Sequence, residues 1–231
     1  MKILAVDSSA IPASAAVCED GKIIGEFYIN TRQTHSQTLL PMVESVLKCT
    51  STALSEIGLF AVSAGPGSFT GVRIGVACIK GLAMPEDRPC VGVSTLEAMA
   101  WNLGHLDGTV CAVMDARCQQ VYNAVFAAEK GKLRRLTEDR ALSIAELAQE
   151  VHTWKSPVYL VGDGAKLCFH SKEFEGLGVQ LPPEQLLYQR ASGVALAALQ
   201  RDPVSCEQLA PVYLRMPQAE RELKKRLSAQ K

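Results

Sequence analysis

The 231 residues suffice for one large domain or two small ones, each with its own core. Forty-eight per cent are apolar and 21% charged, which excludes a disordered or fibrous chain. Basic and acidic residues balance at 24 each, which argues against a stand-alone nucleic-acid binder that draws its affinity from a basic footprint.

In chain order, residues 3–6 are a short apolar strand ending at Asp7-Ser8-Ser9. That run is too short for a signal peptide, and no later run approaches a membrane span, so a cytoplasmic protein without membrane contact is expected. Residues 13–18 and 23–29 are further strands, joined through Glu19-Asp20-Gly21-Lys22, where Asp-Gly between apolar runs signals a hairpin. A helix is expected from Thr34-His35-Ser36 to about residue 48, with Ser36 as its N-cap. A strand over 59–63 leads into Gly65-Pro66-Gly67-Ser68, and a second helix runs over 69–84. Pro85 and Pro89 stop it. A strand follows at 90–93, and Ser94-Thr95-Leu96-Glu97 opens a third helix with capping-box spacing.

The same order then returns. Residues 110–114 are an apolar strand ending in Asp115; strands at 120–127 and 133–136 flank the turn Glu129-Lys130-Gly131-Lys132. Residues 143–154 are a helix with Glu146 in capping-box register, 158–161 a strand ending in Gly162-Asp163-Gly164, and 165–174 a helix. Strand–Asp–strand–turn–strand–helix–strand–glycine loop–helix thus occurs twice. Such a doubled unit describes two similar lobes across a cleft, with the acid after each first strand pointing into it. A single doubly wound sheet fits poorly with antiparallel hairpins at the start of each copy. Residues 209–215 are extended, and a charged helix is expected over 218–229, where Lys224-Lys225-Arg226 reads as a solvated face.

The chemistry-bearing patterns are sparse. Asp7 and Ser8, with the glycine turn at Gly65 and Gly67, could cradle a phosphate or Mg²⁺, because glycines admit close backbone approach and a helix N-terminus attracts anions. A strand-ending acid that merely caps a turn reads the same way. Neither a Walker loop nor a strict G-x-G-x-x-G is present. The four histidines, His35, His105, His152 and His170, form no helical metal pair, and no nucleophile elbow occurs. Arg117 could bind an anion or form a salt bridge. The eight cysteines form no C-x-x-C pair and read as buried, reduced thiols.

The second helix is apolar nearly all round: only Arg73 and Lys80 are charged between 69 and 83. Such a helix is buried nearly all round, which in a small protein implies its own sheet on one side and another chain on the other. The first helix, with Leu39, Leu40, Met42, Val43, Val46 and Leu47 over a broad arc, is its natural neighbour. Burial wholly inside its own fold is the alternative.

At residues 3–9, His35-Ser36-Gln37, 65–75 (GPGSFTGVRIG), 94–98 (STLEA), 114–122 (MDARCQQVY) and 211–215 (PVYLR), the sequence resembles the TsaB (YeaZ) family. Asp7-Ser8-Ser9 stands where the family usually has Asp-Thr-Ser, and keeps the hydroxyl. The resemblance implies an α/β fold with two lobes of the actin-like ATPase, sugar kinase and Hsp70 type (ASKHA, ribonuclease H-like). The first lobe would span 1–104, with the tail 208–231 packing back on it, and a degenerate second lobe 105–207.

The same resemblance implies a part in N6-threonylcarbamoylation of adenosine 37 in tRNAs reading codons that begin with A. The chain would be a non-catalytic partner of a TsaD-type paralogue that holds the metal and the threonylcarbamoyl-adenylate, with a TsaE-type ATPase joining the assembly. No cofactor is expected here; ATP and metal belong to the partner subunits. The family pairs through its first two helices, so Leu39, Leu40, Val43, Val46, Val72, Arg73, Val76, Ile79 and Lys80 are the expected interface. A homodimer is expected when the partner is absent, and tRNA contact only through the complex. Two other classes stay open: an ASKHA-type phosphotransferase or ATPase using Asp7 and the glycine loop, and a peptidase.

Overall fold

Apolar runs broken by Asp-Gly and Lys-Gly turns fold as antiparallel hairpins, while runs separated by a helix return in parallel. The computed structural model, which describes residues 1–155 and 157–215, follows this rule in both halves. The first half comprises β1 (Lys2–Asp7), β2 (Ala13–Glu19), β3 (Lys22–Ile29), α1 (His35–Cys49), β4 (Ile57–Gly65), α2 (Phe69–Ala83), β5 (Cys90–Ser94) and α3 (Thr95–Trp101). The second comprises β6 (Gly108–Asp115), β7 (Gln120–Glu129), β8 (Lys132–Arg135), β9 (Arg140–Ser143), α4 (Ile144–Val151), β10 (Val158–Val161), α5 (Ala165–Phe169), α6 (Glu184–Leu187) and α7 (Ala191–Ala198).

The first sheet has the order β3-β2-β1-β4-β5, antiparallel on the hairpin side of β1 and parallel on the other. The second repeats it as β8-β7-β6-β10, with β9 pairing β7. In place of β5 the second sheet has one parallel bridge, between Tyr159 and Gln180. The doubled order of elements in the sequence is therefore a doubled topology.

Both faces of the first sheet are covered, which is why β1 reads as a continuous apolar run. Leu4 and Val6 point into a core with α1 and α2, while Ile3 and Ala5 point into one with α7. On α3, Ala98 joins the α7 core and Leu96, Met99 and Ala100 join the core of the second sheet, so one helix belongs to both lobes. A Cβ on Gly193 of α7 would lie 2.1 Å from Ala98 O, so these two helices touch backbone to backbone. Glu97 adds a polar tie. Ser94 Oγ accepts from Glu97 N–H as the capping-box spacing predicts, but the Glu97 carboxylate does not reciprocate. It accepts instead from Arg135 Nη2 of the second sheet (2.9 Å) and from Arg201 Nη2.

Other expectations need correction. The first helix begins at His35 with Thr34 at the N-cap position, so Ser36 lies inside its first turn. His35 anchors that turn by donating from Nε2 to Ala10 O (2.7 Å). In α4, by contrast, Ser143 and Glu146 form the full reciprocal box. The expected helix at 165–174 ends at Phe169 and is followed by a 3₁₀ turn, Lys172–Phe174. Strand β9 and helix α7 were not expected, and α7, which the expected division puts with residues 105–207, packs on the first sheet. Leu209 is buried in the α1–α2 core, so the tail returns to the first lobe as far as it is described. The charged helix at 218–229, with Lys224-Lys225-Arg226, lies outside the described residues. No helix among them is long and apolar enough to cross a membrane.

Candidate functional site

Both halves present the same turn at the end of their first strand. Asp7 Oδ1 accepts from Ser9 N–H (2.9 Å), and Asp115 Oδ1 accepts from Arg117 N–H (2.7 Å), each a side chain closing a turn on the residue two ahead. A glycine loop packs on each turn. A Cβ on Gly67 would lie 2.5 Å from Ser9 O, and one on Gly164 would lie 2.8 Å from Met114 C.

In the first lobe this packing uses up the candidate phosphate cradle. Asp7 is fully buried; Ser9 Oγ also donates to its Oδ1 (2.8 Å) and Ser63 Oγ donates to its Oδ2. Burial pushes its carboxyl above the usual range, opposed by those hydroxyl and amide donors. Ser8 is buried too, its Oγ donating to Gly71 O (2.9 Å). At the start of α2, Ser68 N–H donates to Ser9 O (2.6 Å). Cβ atoms on Gly71 and Gly75 would come within 2.1 Å of Ser8 O and 2.7 Å of Ser8 Oγ. Gly67, Gly71 and Gly75 thus form a strip, one helical turn apart, on which the Ser8-Ser9 turn lies. Asp7, Ser8 and Gly65 do not reach the cleft and bond or pack within the chain; only Gly67 of the four lies in its wall. The spacing of GPGSFTGVRIG serves close packing.

The cleft itself, about 900 Å³, lies between the lobes, with Ser9, His35 and Phe69 on one side and Asp115, Tyr122 and Asp163 on the other. Arg32, Arg117 and Arg215 bring positive charge to its walls. Arg117, with its side chain 80% exposed, pairs with Asp115 Oδ2 at 3.3 Å. Arg117, Cys118 and Gln119 all have positive φ, between 56° and 66°, in three consecutive non-glycine residues. Asp163 accepts from Gln189 Nε2 (3.0 Å), while Gln189 Oε1 is buried without a hydrogen-bond partner among the described residues.

Burial pushes the Asp163 carboxyl up to about 6 against the Gln189 hydrogen bond, and the Asp115 charge adds to the rise. A carboxyl raised in the folded state takes up its proton there first, so folding gains as pH falls through 6 and is penalised above it. Because cleft water screens this half-buried group, the expected gain on going from pH 7 to 4.5 is about 1 kcal/mol. Urea denaturation of the wild type against Asp163→Asn across this range isolates it. The wild type should gain relative to the variant as the solution is acidified; a relative loss would contradict the assignment.

The expected partner interface changes most. Leu39, Val43, Val46, Val72, Val76 and Ile79 are all below 5% exposed and pack on the chain's own first sheet. They cannot meet another chain without unfolding this one. Lys80 Nζ donates to Glu207 O and Leu209 O, and Arg73 Nε to the Tyr213 hydroxyl, so both charges hold the chain's own tail. Leu40 alone of the nine is an exposed apolar side chain. The side of α2 turned away from the sheet carries exposed Ala77 and Gly81, with exposed Met84 just beyond the helix end; Ile74, Cys78 and Leu82 are half-buried and pack against the chain's own core. Leu40 and Pro41 are exposed on α1, which packs beside α2.

All eight cysteines are free, but Cys49 and Cys118 are exposed, so the buried-thiol expectation does not hold for these two. No cluster of three or more histidine, cysteine or acidic ligands occurs among the described residues.

A family model described as "TsaD: tRNA N6-adenosine threonylcarbamoyltransferase" matches residues 22–183. The tRNA threonylcarbamoyladenosine biosynthesis protein TsaB of Bacillus subtilis (strain 168) is 31% identical over 227 residues, covering 95% of this chain and 96% of that protein. The solved structure of YeaZ from Pseudomonas aeruginosa superposes with a TM-score of 0.78 at 28% identity, over 92% of this chain and 99% of that one. The ROK hexokinase from Thermus thermophilus superposes with a TM-score of 0.50 at 13% identity, over 87% and 99%, a likeness of fold alone to the two-lobed sugar kinases.

Proposed function

This chain belongs to the TsaB family and serves tRNA threonylcarbamoyladenosine biosynthesis, and from that premise we propose that it acts there as a non-catalytic docking subunit for a TsaD-type partner. The observation that carries this reading is the contrast between two surfaces of α2. Its N-terminal loop, where a nucleotide-using relative would need free donors, is filled by the Ser8-Ser9 turn. Its outer side leaves small and apolar side chains to solvent. Small residues at 77 and 81 let a second helix approach closely, and the apolar rim supplies the area that desolvation needs.

The burial and three internal hydrogen bonds of Asp7 weigh against the phosphotransferase reading, which requires that carboxylate at a metal or phosphate. The catalytic metal and ATP then belong to the partner subunits, with a TsaE-type ATPase among them, in the cytoplasm. Balanced charge supports tRNA contact through the complex rather than through this chain. Alone, the chain covers the same α2 surface by isologous pairing with a second copy, so homodimer and partner complex compete.

Reconstitution tests the reading. Threonylcarbamoyl transfer to tRNA should need the TsaD-type subunit and this chain together, with no turnover by this chain alone. Transfer sustained by this chain without that subunit would overturn it.

A further inference from the structure

The segment 209–215 does not stop on the first lobe; it runs across the mouth of the cleft. It is firmly held at its start, where Leu209 is buried and Lys80 Nζ donates to Glu207 O (3.1 Å) and Leu209 O (3.2 Å). Val212 N–H then donates to Ala64 O (2.7 Å) at the end of β4. Gly65 makes room for that approach: a Cβ there would lie 2.2 Å from Val212 O.

Beyond this point the hold is by side chains. Tyr213 stacks on Phe69 with ring centroids 4.7 Å apart, and its hydroxyl accepts from Arg73 Nε (2.8 Å). The Arg73 guanidinium lies 3.8 Å from the centroid of the Phe69 ring. Arg215 Nη1 reaches the second lobe and donates to Ala116 O (2.9 Å), beside the left-handed residues Arg117–Gln119. Val212 to Arg215 all line the cleft, yet Val212 is 53% and Tyr213 40% exposed. A segment anchored by a buried leucine, and afterwards by a stack and single hydrogen bonds at the surface, has a stable base and a low-stability end.

We propose that residues 209–215 are a strap that gates access to the inter-lobe cleft, latched by Tyr213 on Phe69 and Arg73 and by Arg215 on Ala116. Because Arg73 belongs to α2, the latch couples the cleft to the exposed side of that helix. Helix α3 and the Glu97–Arg135 pair tie the two lobes together, so the strap is the element that moves. The strap does not depend on the docking role of α2; only its use by a partner would.

The test uses the full isolated chain, without any partner. Amide exchange read by mass spectrometry should be about tenfold faster over 212–215 in Arg73→Ala, Tyr213→Ala and Arg215→Ala than in the wild type, with β4 amides unchanged. In an Ala10→Cys background, maleimide labelling at that cleft position, read on its own peptide, should accelerate by a similar factor. Arg73→Lys, which keeps the charge but not the planar Nε donor, should fall between. Unchanged exchange over 212–215 in all three variants would overturn the strap. Faster exchange with unchanged maleimide labelling at position 10 would overturn the gating. A response to Tyr213→Ala but none to Arg73→Ala would overturn the coupling to α2.

Discussion

Replacing Gly71 by alanine should lower the free energy of unfolding by about 3 kcal/mol, the upper end of the usual cost of overpacking, although alanine is the better helix former. Propensity alone would give the opposite sign, a gain of at most about 1 kcal/mol, since Gly71 lies in the first turn of α2. The added Cβ decides the matter, because it would meet Ser8 O at 2.1 Å and Ser68 Cβ at 3.3 Å. The nearer atom is backbone, and its serine is fixed by its bond to Gly71 O, so no rotamer change relieves the contact. Helix α2 must lift from the Ser8-Ser9 turn, which strains the Ser8 Oγ bond to Gly71 O and the Ser68 N–H bond to Ser9 O. Gly81→Ala, in the same helix, is the control. Among the described residues nothing lies within 4 Å of its Cβ position, so it should be neutral or gain up to about 1 kcal/mol. Urea denaturation should therefore separate the two variants by at least about 3 kcal/mol; equal effects would show that the glycine strip is not a packing surface.

Much of the architecture is readable from local rules. Asp20-Gly21 and Lys130-Gly131 mark the hairpins, and Asp7 and Asp115 mark the ends of equivalent strands. Where the reading fails, a second physical demand competes with the local one. Ser94 and Glu97 have capping-box spacing, but two guanidinium groups from distant segments outcompete one backbone N–H for the carboxylate. Helix α7 is built from Ala191, Gly193, Ala195, Ala197 and Ala198, small residues that a crowded space between β-sheet and α3 requires and that carry little periodic signal. Strand β9 has only Ala141 and Leu142 as apolar residues, too few to stand out.

The α2 surface shows the same limit. Hydrophobic spacing correctly groups Val72, Val76 and Ile79 on one face, but a helix with two apolar sides does not reveal from spacing which one meets the sheet. Residue size does. The branched side chains fill the core of the chain, while Ala77 and Gly81 leave a shallow exterior. For the same reason Val76→Glu probes folding: at 4% exposure, an unpaired carboxylate there would destabilise the chain by several kcal/mol.

The docking role is tested by Ala77→Glu, because Ala77 is exposed and its replacement leaves the core alone. A substitution of this kind should change stability by no more than about 0.5 kcal/mol. In a desolvated helix-on-helix contact the same charge should cost at least about 2.7 kcal/mol, roughly a hundredfold in affinity. The decisive measurement is the dissociation constant of the TsaD-type subunit for wild-type and Ala77→Glu chains, with thermal unfolding of each recorded alongside. Binding weakened about a hundredfold in a variant of unchanged melting temperature is the result predicted here. Unchanged affinity in the folded variant would contradict the assignment of this face.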